Sequence, residues 1–153
     1  MSLTLMSLTA TAFLVACGGT DAPPATDMAE SPAPTEAATQ VWFESPVDGE
    51  VVEGPDVLVR FGHSGIELVP PDEPRPGEGH HHIFVNVDVT PMGQVIPAGR
   101  EGIIHMGDAS SEYLLEGLEP GAYRLITVMA DGLHIPLDPP VVDTVNITVV
   151  EPQ

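Results

Sequence analysis

His80-His81-His82-Ile83-Phe84-Val85-Asn86-Val87-Asp88-Val89 reads as a central β-strand. Strand side chains alternate between faces, so Ile83, Val85 and Val87 share one face and His82, Phe84, Asn86 and Asp88 the other. The same alternation lets His80 and His82 point one way, with His81 between them. Outward from this strand the pattern repeats. In residues 122–129, Tyr123, Leu125, Thr127 and Met129 oppose Arg124, Ile126 and Val128. Residues 57–61 and 141–150 read as further strands, 41–44 and 111–115 as shorter ones, and 51–52, 94–96 and 102–106 as short pieces. Gly and Pro punctuate them, as in Ser45-Pro46-Val47-Asp48-Gly49 and Leu118-Glu119-Pro120-Gly121. No run shows the i, i+3, i+4 spacing of an amphipathic helix. This predicts an all-β fold, a single immunoglobulin-like antiparallel β-sandwich of about seven to nine strands. Leu118 to Tyr123 resembles the corner that precedes an immunoglobulin strand F, where a tyrosine commonly sits.

The six histidines fall in a telling order: His63, His80, His81, His82, His105 and His134. In immunoglobulin order, segments 57–61, 80–89, 102–106, 111–115, 122–129 and 141–150 take the places of strands B to G. The B–C, D–E and F–G loops of such a sandwich gather at one end, and all six histidines then converge there. Neutral imidazole is the commonest ligand for zinc, copper and nickel. The expected ligands are His80, His82, His105 and His134, with His81, Met106 and Asp138 as further candidates; a Met106 or Met129 thioether would favour Cu(I). Asp108 and Asp131 are candidates for carboxylate ligands or for acceptors that orient an imidazole. The long 62–79 loop, with Pro70, Pro71, Pro74 and Pro76, is the kind of insertion that often serves function.

The remainder of the chain reads as an export and anchoring device. Residues 1–16 are apolar and small and end in Leu14-Val15-Ala16-Cys17, which resembles a bacterial lipobox whose cysteine is acylated after cleavage. No Lys or Arg precedes the apolar run. Gly18, rather than Asp, after the cysteine leans toward the outer membrane. Residues 17–40 carry Pro23, Pro24, Pro32 and Pro34 among Ala, Thr, Asp and Glu, the composition of a disordered acidic tether. Residues 41–151 are the folded domain. Cys17 is the lone cysteine, so the domain has no internal disulfide.

Asp and Glu number 23 against four arginines and no lysine, a formal charge of −19. Such a surface repels nucleic acid and anionic headgroups and attracts cations. No nucleophile elbow, phosphate-cradling glycine loop or basic patch is visible. The chain is therefore expected not to be an enzyme.

Ser45-Pro46-Val47-Asp48-Gly49, Gly79-His80-His81-His82-Ile83, His105 before a turn, and Leu133-His134-Ile135-Pro136 with Asp138-Pro139-Pro140-Val141 resemble bacterial secreted proteins classed as domain of unknown function family 4399. The resemblance spans residues 41–150 and implies an exported, immunoglobulin-like domain. It departs at Ile103, Asp131 and Leu137, where members can carry further histidines. Together these readings predict a lipid-anchored binding module of the cell envelope that holds copper or zinc, for storage, delivery or sensing. The competing reading is a non-catalytic adhesive module that binds protein or glycan, with structural histidines.

Overall fold

Two sheets hold all the strands among the described residues, 38–153, of this computed structural model. In chain order the strands are β1 (Gln40–Ser45), β2 (Val51–Glu53), β3 (Val57–Ser64), β4 (Glu67–Leu68), β5 (Glu78–Val85), β6 (Ile103–His105), β7 (Glu112–Leu115), β8 (Gly121–Ala130) and β9 (Val142–Val150). One sheet runs β1-β3-β7 and the other β2-β9-β8-β5-β4, with β6 also paired to β5. The β2–β9 and β4–β5 pairings are parallel and the rest antiparallel. The protein is an all-β sandwich. The expected signal segment 1–16, Cys17 and the tether through residue 37 lie outside the described residues. Of the tether's last positions, Gln40 already opens β1 opposite Ser64.

Alternation builds the core. Val57, Val59 and Phe61 of β3 face Ile83, Leu125, Val145, Ile147 and Val149 of the opposing sheet. Leu58 and Arg60, one position off, face outward. β5 and the second half of β8 are buried on both faces. Their inner face meets the partner sheet. Their outer face, with Phe84, Ile126, Val128 and Ala130, is covered by Ile96, Val87, Val89 and Ile103. The β5–β6 connection therefore works as a cover over the larger sheet.

Three local expectations change. The central strand stops at Val85, because Asn86 takes φ 57°. Asn tolerates that left-handed geometry, and its Oδ1 accepts the Arg124 N–H at 2.8 Å. Residues 94–96 form no strand; they belong to the cover, with Ile96 buried. Residues 103–105 pair with β5 rather than with β7, so this segment takes the place of an immunoglobulin strand C′, not D. A three-residue strand carries too little pattern to name its partner, and the long connection lets the chain return to the same sheet. The 62–79 loop is also partly ordered, since β3 extends to Ser64 and β4 lies within it.

The tyrosine corner is present: Tyr123 Oη donates to the Glu119 carbonyl at 2.9 Å. Tyr123→Phe deletes that bond and is expected to cost about 1 kcal/mol. Urea unfolding checks this as a lowered midpoint at unchanged m-value.

Candidate metal centre

β5 presents His80 and His82 on its outer face, where both are at most 1% exposed. β6 adds His105, which lies directly opposite His82 in the antiparallel register. The fourth imidazole, His134, comes from the β8–β9 loop. His80 pairs with Ala130, the last residue of β8, so the chain that follows passes over the same outer face.

Hydrogen bonds shape the loop that carries His134. Asp131 Oδ1 accepts the N–H groups of Leu133 and Ile135, each at 2.9 Å. The His134 N–H donates to the Asp131 carbonyl at 2.9 Å, and the Asp131 N–H to the Ile135 carbonyl at 3.0 Å. His134 itself takes φ 64°, a backbone state that L-residues seldom adopt. Such strain persists where the surroundings over-determine it, and it clusters at functional sites. The His134 carbonyl accepts the Ile96 N–H at 2.8 Å, tying the loop to the cover. A Cβ on Gly132 would collide with the Asp72 backbone, so the loop is also pressed against the 62–79 segment.

The four rings close on one point. Their centroids are 4.9 Å (80–82), 5.0 Å (80–105), 5.0 Å (80–134), 5.0 Å (82–105), 5.5 Å (82–134) and 4.6 Å (105–134) apart. Four points with six nearly equal separations form a tetrahedron. The Nε2 atoms of His80 and His82 lie 3.0 Å apart, and those of His134 and His105 3.1 Å apart. One ring nitrogen from each of the four falls within 4.8 Å of all the others. These four histidines could hold a metal ion. A cavity of about 370 Å³ adjoins His82, His105 and His134, so the half-buried His134 and exposed His105 form the open side. A larger groove of about 860 Å³, beside Tyr113 and Tyr123, has no histidine in its walls.

The other expected participants sit elsewhere. His81 turns to the inner face, stacks on Phe61 at 4.7 Å, and its Nδ1 lies 3.0 Å from Thr127 Oγ1. His63 lies near His81, at 6.4 Å between ring centres, and not with the four. The expected convergence of all six histidines thus divides between the two faces of β5, because adjacent strand residues cannot share a face. Met106 and Met129 are buried in inner-face clusters with Ile83 and Val41 respectively, so neither thioether joins the imidazoles. Asp138 is outside the group. Asp108 caps its own turn by accepting the Ser110 N–H. Asp131 organises the loop rather than acting as a ligand, a role its Asp-Gly start signals. One contributor escapes sequence reading. A Cβ on Gly107 would meet His105 Cε1 at 2.6 Å, so the His105 ring lies where only glycine leaves room.

Burial first, and the neighbouring imidazoles after it, push His80 down to about 4 and His82 to about 3. The Asp131 carboxylate opposes the fall at His80. His81 is likewise lowered to about 4 by burial first, and His105 is lowered by burial and by His134. His80 Nδ1, His82 Nδ1 and His81 Nε2 are buried without a hydrogen-bond partner. In each facing Nε2 pair only one nitrogen can donate to the other, so all four Nε2 atoms present lone pairs to a cation only when every ring carries its proton on Nδ1.

The sequence matches the family described as Domain of unknown function (DUF4399) over residues 59–150. No curated protein matches it. Among solved structures, an engineered protein is similar over 76% of this chain at 12% identity and TM-score 0.46, and this chain covers 21% of that protein's length. The PKD domain (329–428) of human KIAA0319 is similar over 81% of this chain and 92% of its own, at 17% identity and TM-score 0.37. Both likenesses are too loose to bear on function.

The lowered histidines fix the sign of the acid response. The unfolded chain protonates these imidazoles near the ordinary 6.5, before the folded chain does at about 4 for His80 and 3 for His82. The metal-free domain is therefore expected to keep full stability above about pH 6.5 and to lose it progressively toward pH 4. Urea midpoints measured between those pH values check this; a flat profile would contradict neutral buried imidazoles.

Proposed function

The chain belongs to the DUF4399 family, and from that premise we propose that it is a metal-binding module that takes up copper or zinc through His80, His82, His105 and His134. The convergence of four imidazoles from two strands and a loop on one point carries this reading. Neutral nitrogens are the form a metal needs, since protons compete for the same lone pairs. Burial holds His80 and His82 in that form at neutral pH. Four protein ligands also close a tetrahedral site, whereas catalytic zinc sites keep a position for water or substrate. A closed site fits storage, delivery or sensing and not catalysis. His80 and His82 form a rigid floor, and the exposed His105 gives the ion a way in and out.

Around this centre we place an exported protein, acylated at Cys17 and held off the membrane by an acidic tether. The motif ending at Cys17 and the composition of residues 18–37 support that placement. The formal charge of −19 argues against a nucleic acid partner and favours cations near the domain. Mass spectrometry of the protein purified from its native envelope tests the anchor through the mass of the acylated N-terminal cysteine.

Calorimetric titration of the untagged domain is expected to show one ion per chain. His105→Ala and His134→Ala should each weaken binding strongly, and affinity should fade as pH drops through the histidine range. Gly107→Ala separates site from fold. The new methyl displaces only the far end of a flexible side chain, so stability should change little. Metal affinity should fall about 10–100-fold because a positioning contact is lost. Unchanged affinity in all three variants would move the site elsewhere.

A further inference from the structure

We infer that the site is built for a tetrahedral divalent ion of the zinc(II) type and not for copper; this rests on the metal-binding reading above and names the ion. Three observations carry it. The first is the shape of the cluster. An ion about 2.0–2.1 Å from a ring nitrogen lies roughly 3.2 Å from the ring centre, so tetrahedral ligation sets all ring centres about 5.2 Å apart. A square plane of the same bonds sets neighbours about 4.5 Å apart and opposite rings about 6.4 Å apart. The six observed separations run from 4.6 to 5.5 Å, with no long diagonal. Two of the donor pairs, at 3.0 and 3.1 Å, are a few tenths of an ångström inside the tetrahedral edge of about 3.3 Å; the four nitrogens together span up to 4.8 Å, so a bound ion draws the open-side His105 and His134 rings inward.

The second observation is what holds that shape. His80 and His82 are buried in a packed interface between the sheet and its cover, and His82 is locked opposite His105 by strand register. Flattening the cluster would push two ring pairs about an ångström or more further apart, and every choice of pairs moves a buried β5 imidazole. Close-packed interiors do not yield that distance cheaply. Cu(II) and Ni(II), which favour square-planar or tetragonal nitrogen ligation, therefore lose their preferred geometry here. Zn(II) has no geometric demand of its own and accepts the tetrahedron as given.

The third observation excludes the soft alternative. Cu(I) is selected by thiolate and thioether ligands. The described residues contain no cysteine, and Met106 and Met129 pack on the opposite face of β5. The donor set is four borderline nitrogens.

Cobalt(II) reports the geometry directly. The untagged domain is dialysed against Co(II), and bound metal is counted before any spectrum is recorded. One Co(II) per chain should give the intense visible absorption of a tetrahedral ion, and Zn(II) should displace it. Affinity should be at least about tenfold higher for Zn(II) than for Ni(II), reversing the order that flexible nitrogen ligands follow. Cu(II), where it binds, should give an electron paramagnetic resonance spectrum with narrower hyperfine splitting than copper in excess imidazole. His105→Ala, checked for folding by circular dichroism, should lose the intense cobalt band. One bound Co(II) with only the faint colour of a six-coordinate ion overturns the inference while leaving metal binding intact. So does Ni(II) binding as tightly as Zn(II), or a copper spectrum identical to the imidazole control. Cu(I) held more tightly than Zn(II) under anaerobic competition also overturns it. No metal bound at all overturns the metal-binding reading and this inference together.

Discussion

A strand cannot send three consecutive side chains to one side, and β5 carries three consecutive histidines through the middle of the domain. His80 and His82 go to the outer face and His81 to the inner one, where it stacks on Phe61. Both destinations are dry, because the partner sheet covers one and residues 86–102 cover the other. The β5 imidazoles are thus desolvated in a way no isolated surface histidine would be. The neighbouring register then fixes the rest of the site. His105 must lie beside His82, and the chain leaving β8 must cross the face that His80 occupies.

That arrangement carries an energetic cost. A buried polar group without a partner costs about 1–3 kcal/mol, and His80 Nδ1, His82 Nδ1 and His81 Nε2 each lack one. The cost falls on an ordinary-sized sandwich with no disulfide to reinforce it. Hydrophobic burial around Val59, Ile83, Leu125 and Ile147 offsets it, since all four are at most 2% exposed. A cation held by the facing Nε2 atoms leaves those three nitrogens as they are, but it binds the folded arrangement alone and so stabilises it.

Much of this was legible in the chain. Alternation at residues 80–89 and 122–129 gave the layers, and the Tyr123 corner was readable from its turn. The four histidines that meet were also the four expected, because His80 and His82 alternate and the other two precede or lie in turns. Three things were not legible. Residues 103–105 are too few for a pattern to distinguish a D-type from a C′-type partner. Residues 94–96 read as a short strand piece, yet they cap a sheet whose outer face no local signal reveals. The positive φ of His134 comes from the Asp131 turn and from contact at Gly132, and neither leaves a periodic trace. The grouping of all six histidines failed for a simpler reason: end-of-sandwich reasoning ignored which face of β5 each ring must take.

The two halves of the cluster are held by different means. On the deep side, packing fixes His80 and His82, so their position is as firm as the core. On the open side, small local devices do the work: the absence of a side chain at Gly107 beneath the His105 ring, and the Asp131 carboxylate that folds the His134 loop. Local devices of this kind break at lower free energy than a core does. An ion leaving the centre would shed His105 or His134 first, while the β5 pair stays in place for the next one. The deep pair is thus set by the core and the open pair by the turns that carry it.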